Sequence, residues 1–199
     1  ESKNILFEGD NYSEAWANEA AKRGLSNNKD TVKALDILAD KSSVDLFKRL
    51  GIFTPIELEA RHEIQLEEYI KKVQIEARMV GYISSNHILP AAVAYQNKLI
   101  ENVKGLKEIG LKPETYRSQI EIIEVVSNHI NNISDNVEAM IADRKKANEI
   151  TDTHKRALAY AEIIRPYFDK IRYHADKLEL IVEDGMWALP KYRELLFLR

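Results

Sequence analysis

From Thr54 onward, apolar side chains return every three or four residues, with Lys, Glu, Asn and Asp filling the steps between. That is the period of a helix with one covered face. The first such stretch begins at Thr54-Pro55-Ile56-Glu57 and runs to Ile109 before Gly110. Thr54 is placed to cap the first free amides, Pro55 suits the first helical position, where no amide is needed, and Glu57 completes a capping box. Gly110 suits the left-handed turn that closes a helix. Pro90 predicts a bend, because its ring nitrogen has no hydrogen to donate. At 1.5 Å per residue the rod spans roughly 80 Å, too long for a small compact domain unless other long helices or another subunit cover it.

Two more rods follow. Beyond Pro113, the positions Tyr116, Ile120, Ile123, Val126, Ile130, Ile133, Val137 and Met140 predict a helix from Glu114 to about Asn148. Their mean step near 3.5 is that of a helix kept against a partner along its length. Thr151 or Asp152 opens a third helix carrying Ala157, Tyr160, Ile164, Tyr167, Ile171, His174 or Ala175, Leu178 and Ile181, with a bend predicted near 163–165 by Pro166. Short connections make successive helices antiparallel neighbours. The pattern therefore predicts an all-α chain, with short N-terminal helices followed by a long up-down-up antiparallel helical bundle. The second and third rods reach only about 50 Å. Residues 55–75 are left to pack on the N-terminal elements, and the bundle is expected to be an arm on a body.

Residues 1–53 read differently. Ile5-Leu6-Phe7 reads as the end of a strand or a docked segment; Ser13 caps a helix over Glu14–Arg23; Asn27, Asn28 and Asp30 make a loop. Thr31 begins a helix with Val32, Leu35, Leu38 and Ala39 on one face, and Ser43–Leu50 forms another before Gly51. Elements this small cannot bury enough surface to stand alone. The expected division is 1–54 as the edge of a larger body, 55–185 as the bundle, and 186–199 as an apolar tail. Gly185 is expected to end the third helix, and Pro190 to start a last short one. The tail's Trp187, Leu189, Tyr192, Leu195, Leu196 and Phe197 are the candidate subunit contacts. Either the tail folds back over the tip near Gly110, or it docks on another chain.

Charge and composition narrow the function. Lys and Arg number 29 against 32 Asp and Glu, a net charge of -3 with the signs mixed. A nucleic-acid binder needs a basic face, and none is present. Arg144-Lys145-Lys146 is read as complementing a helix dipole. With no cysteine there is no disulfide, thiolate zinc site or cysteine nucleophile. No apolar run approaches the roughly 20 residues that cross a bilayer, so no membrane partner is expected. The first residue, Glu1, suggests a piece of a longer protein.

Candidate chemistry is sparse. Glu59-Ala60-Arg61-His62 has the Glu-x-x-His spacing of di-iron bundles, but such a site needs a second copy on another helix, and none follows. His87 is read as serving the carbonyl that Pro90 leaves without a donor; His129 and His174 lie beside the apolar seams, and His154 lies in a first turn. None forms an i, i+4 metal pair. No catalytic, cofactor-binding or metal-binding residue is predicted.

Several segments carry a resemblance. Thr31 to Leu38 and Leu50-Gly51-Ile52-Phe53-Thr54-Pro55-Ile56-Glu57-Leu58 resemble the closing part of glutamine synthetases. Phe7-Glu8-Gly9-Asp10-Asn11-Tyr12-Ser13, Ala21-Lys22-Arg23-Gly24-Leu25, Glu57-Leu58-Glu59-Ala60-Arg61, Ile88-Leu89-Pro90-Ala91-Ala92 and Leu189-Pro190-Lys191-Tyr192-Arg193-Glu194-Leu195-Leu196-Phe197 look like the C-terminal region of the type III enzymes. The resemblance implies a parent that ligates glutamate and ammonia with ATP and magnesium, through a glutamyl phosphate, in a cytoplasmic double-ring dodecamer. It implies that the metal-binding glutamates, nucleotide site and glutamate-anchoring arginine lie before Glu1. The expected role of this chain is then structural, in contact with the rest of the parent and its homo-oligomer, and inactive alone. The alternative is a free-standing helical adaptor that binds partner helices by its apolar tail.

Overall fold

The structure, a computed structural model, describes residues 2–197, and the side chains of all of these except Ser2, Asn4, Tyr192 and Arg193. Among the described residues it is all-α, and none of its helices is long and apolar enough to cross a membrane. The chain divides into two compact units, residues 1–66 and 67–199.

The first unit holds α1 (Glu14–Lys22), α2 (Thr31–Asp36), α3 (Lys41–Arg49) and the start of α4 (Pro55–Ile83). Local chemistry sets its boundaries. Ser13 Oγ accepts from the Trp16 amide at 3.3 Å. The second helix begins at Thr31 as expected, and Asp30, at the end of the preceding loop, caps it: its Oδ1 accepts from the Lys33 amide at 2.8 Å. At α4 the Thr54 amide and hydroxyl donate to Glu57 Oε2 at 2.7 and 2.8 Å, completing the capping box. The Ile5-Leu6-Phe7 run is not a strand. A 3₁₀ turn covers Ser2–Ile5, Phe7 stacks on Trp16 at 4.6 Å, and Arg23 donates to the Leu6 carbonyl at 2.7 Å.

In the second unit, α4 continues to Ile83 and α5 covers Leu89–Glu108; α6 is Arg117–Glu149, α7 is Thr153–Ala159 and α8 is Pro166–Ile181. Gly110, at φ +83, closes α5; the Leu111 amide reaches back to the Leu106 carbonyl at 3.2 Å. Cross-helix bonds fix the antiparallel register. Gln96 Nε2 donates to the Ile123 carbonyl at 3.2 Å, and Tyr167 Oη donates to Asp143 at 2.8 Å. The seam is as the spacing predicts at Val126, Ile133, Val137, Met140, Ala157, Tyr160, Ile164, Ile171 and Leu178, all buried. Ile120 departs from it at 37% exposure.

The same kind of turn stands ahead of both prolines where bends are expected. A wide π turn covers Ser84–Ile88 ahead of Pro90, and a second covers Tyr160–Ile164 ahead of Pro166. A proline inside a helix orphans the carbonyl four residues back and presses its ring on it. Widening the preceding turn relieves both, with the Leu89 and Arg165 amides reaching back five residues to the Ser84 and Tyr160 carbonyls. His87 does not serve that region's carbonyls as expected: its ring lies edge-on to Tyr82, and it is Asn86 that donates to the Tyr82 carbonyl, at 3.0 Å.

The third rod ends earlier than Gly185. Its last helical residue is Ile181, and Val182, 2% exposed, turns into an extended conformation with ψ 136, so burial of Val182 rather than a glycine stops the helix. The last helix, α9, is Tyr192–Leu196, starting after Lys191 rather than at Pro190, because the Lys191 amide bonds to Glu194 Oε2 at 3.1 Å.

Candidate functional site

The tail is in two parts with opposite surroundings. Trp187 is 9% exposed and Leu189 is half-buried. Both line a cleft of about 520 Å³ between α4 and α8, with Val80, Ile88 and Ile171 on its walls. Among the described residues the Trp187 indole nitrogen is buried without a hydrogen-bond partner, a cost the ring's apolar burial has to offset. Leu195, Leu196 and Phe197 lie beyond it at 56, 60 and 78% exposure. Tyr192 is outside the residues whose side chains are described.

Lys191 joins the two parts. Its ammonium donates to the Glu179 carbonyl at 2.9 Å and the Val182 carbonyl at 3.4 Å, and pairs with Asp184. The last carbonyls of a helix have no partner within it and carry the negative end of its dipole. Lys191 answers both and pins the chain at the foot of α8. Lys98 of α5 pairs with Glu183 in the same region. The fold-back therefore lies against α4 and α8; the expected packing near Gly110 is not where Trp187 goes.

The histidines sort into separate local roles. His62 Nε2 lies 3.1 Å from Asp36 Oδ1, so Glu59-Ala60-Arg61-His62 presents its imidazole to a carboxylate of α2. His129 and His174, on facing turns of α6 and α8, bring their Nδ1 atoms to 2.8 Å. One must donate and the other accept, so at least one of these nitrogens is unprotonated. Burial, His174 and Lys177 together hold the His129 imidazole below its ordinary value. Among the described residues no three His, Cys, Asp or Glu side chains gather as a metal site would require.

Sequence reading missed a polar junction. Asn148 Oδ1 accepts from Tyr160 Oη at 2.7 Å and from Gln74 Nε2 at 3.3 Å, joining α4, α6 and the turn after α7. The three side chains stand on separate stretches of the chain, and only the register of the helices brings them together.

The first unit presents a different surface. α3 buries none of its residues, and Leu46, Leu50, Ile52 and Ile56 are 42, 58, 53 and 77% exposed.

Comparison with known proteins adds the family. The glutamine synthetase C-terminal domain matches residues 1–107. A glutamine synthetase of Bacteroides fragilis (strain YCH46) is 44% identical over 98% of this chain. A type-3 glutamine synthetase of Dictyostelium discoideum is 33% identical, and a glutamine synthetase of Butyrivibrio fibrisolvens 29% identical, each again over 98% of the chain. The chain spans about a quarter of the length of these curated relatives, 27, 27 and 28% respectively.

Proposed function

Since the chain belongs to the glutamine synthetase C-terminal domain family, we propose that it is the C-terminal helical part of a type III glutamine synthetase, a cytoplasmic ligase that makes glutamine from glutamate, ammonia and ATP. The observation that carries this reading is the end-to-end match: 98% of the chain aligns with relatives of that name, one of them a type-3 enzyme, over about a quarter of their length.

Its role in the parent is architectural. Residues 1–54 complete the edge of the catalytic body through the bare apolar side chains of α3 and the following turn. Residues 55–185 form the bundle, and residues 186–199 carry a contact between subunits of a homo-oligomer. Leu195, Leu196 and Phe197 are the contact surface, held in place by Trp187, Leu189 and Lys191. Among the described residues no three His, Cys, Asp or Glu side chains gather as a metal site would require. The ligation chemistry belongs to the rest of the parent.

Two measurements test this. The purified chain, assayed for ATP-dependent glutamine formation, should give none, and measurable turnover would overturn the architectural role. In the parent enzyme, Leu195→Asp with Phe197→Asp should shift sedimentation toward smaller species while Trp187 stays buried. An unchanged mass distribution would remove the tail from the subunit contact.

A further inference from the structure

His129 of α6 and His174 of α8 stand head to head. Their Nδ1 atoms are 2.8 Å apart and their ring centres 5.1 Å apart, so the two nitrogens lie close to the line joining the rings. That is hydrogen-bond geometry, and the proton count of the pair decides whether the bond exists. With both rings neutral, one carries its hydrogen on Nδ1 and donates it, while the other keeps its own on Nε2 and accepts. One added proton goes to the outer nitrogen of the donor ring, which leaves the bond in place and charge-assisted. A second added proton puts a hydrogen on each of the facing nitrogens. The bond then becomes a contact between two like charges.

The surroundings offer no partner for that second charge. On α8, Tyr173 lies edge-on to His174 at 5.1 Å, and the Lys177 ammonium stands 5.5 Å over the Tyr173 ring. Arg172 and Asp176 pair with each other at 3.5 Å, and Lys170 lies over the Tyr167 ring. On α6 the neighbouring turns carry Val125, Val126, Asn132 and Ile133, none of them ionisable. The helix α5 and the Ser84–Ile88 turn also pack on α6, but Lys98 pairs with Glu183 and the His87 ring lies against Tyr82. Among the described residues no carboxylate bonds to either imidazole. Burial, and then His174 and Lys177, accordingly hold His129 below its ordinary value. Both residues are only half-buried, so each ring can turn out to water once the bond is lost. Buried Val126 and Ile133 on α6, and Ile171 and Leu178 on α8, stand one turn to either side, and their packing bears the change.

We propose that the pair is an acid-sensitive latch between α6 and α8, kept closed by one proton on the facing nitrogens and opened by two, which loosens the middle of α8 locally without unfolding the bundle. The latch is independent of the assembly role above.

Two measurements on the full chain test it. In nitrogen NMR the two rings should titrate together in two steps, because they share the first added proton; a single independent step at each ring would overturn the latch. Amide hydrogen exchange, corrected for the intrinsic effect of pH, should show protection across 126–133 and 171–178 falling about tenfold or more between about pH 7.5 and 5, the loss of one charge-assisted hydrogen bond. Protection across 91–105 of α5 should hold. His129→Gln and His174→Gln should each remove most of the fall, since either leaves a single imidazole with no charge facing it. Unchanged protection in acid, an equal fall in α5, or a fall of undiminished size in either variant would each overturn the proposal.

Discussion

The two units form their helices by different means. Among the described residues the second unit buries nineteen hydrophobic side chains and the first only four, Ala20, Val32, Leu58 and Leu66. In the first unit the elements are defined by short-range bonds: the caps at Ser13, Asp30 and Thr54, the Phe7–Trp16 stack, and Arg61 over Phe53 at 4.5 Å. In the second, helices are held by partners far away in sequence, through a seam from Val73 to Leu178. The difference teaches which surface is finished. A helix such as α3 forms without burying any of its residues.

Four measurements would sharpen or break that contrast. Ile133→Ala, at a fully buried position of α6, should lower stability in urea denaturation by about 2–5 kcal/mol. Ile123 and Ile130 are only half-buried, and their truncation should cost less, about 1–2 kcal/mol. A loss below about 1 kcal/mol at Ile133 would refute the seam. Next, Lys191→Ala should cost about 1–2 kcal/mol through the carbonyls it caps at the end of α8. It should also shift Trp187 fluorescence to the red, and an unshifted spectrum would separate Lys191 from the fold-back.

The third measurement uses acid. His129 takes up its proton less readily in the folded chain than in the unfolded one, chiefly through burial and then through His174 and Lys177. The contribution of His129 is therefore intact above the unfolded value near 6.5 and is lost as the pH falls through it toward the depressed folded value. The urea midpoint should drop between pH 7.5 and 5.5, and His129→Gln should flatten that drop; an equally steep drop in the variant would assign the acid sensitivity to other groups. Smallest of all, Leu46→Ser in α3 should change the stability of the chain by no more than about 0.5 kcal/mol. A larger loss would mean that α3 is packed within the chain and that its apolar face is not waiting for a partner.

Much of the fold was legible because it rests on local rules. Thr54-Pro55-Ile56-Glu57 and Gly110 mark helix ends through bonds made within four or five residues, and the spacing of Val126, Ile133, Val137 and Met140 reports one covered face. What periodicity cannot report is which side chain on one rod meets which on the next. His129 and His174 are 45 positions apart, and only the antiparallel register brings them together. Arg144 shows the same limit. Within Arg144-Lys145-Lys146 it reads as a complement to the helix dipole, yet Lys146 pairs with Asp143 while Arg144 acts on Tyr160 across the bundle. The start of α2 at Thr31 was legible, while the role of Asp30 as its cap shows only in the bond from the Lys33 amide.

The widened turns before Pro90 and Pro166 give the two outer rods something α6 lacks: slack. A π turn holds one residue more than an ordinary turn while its flanks keep their faces. Loss of a single residue inside Ser84–Ile88 or Tyr160–Ile164 can therefore be absorbed by tightening the coil on the spot. The same loss midway along α6 would rotate all that follows by about 100°, carrying Val137 and Met140 away from their neighbours. Over the history of such a chain, changes in length should be found at the two prolines and be weeded out of the rod between them.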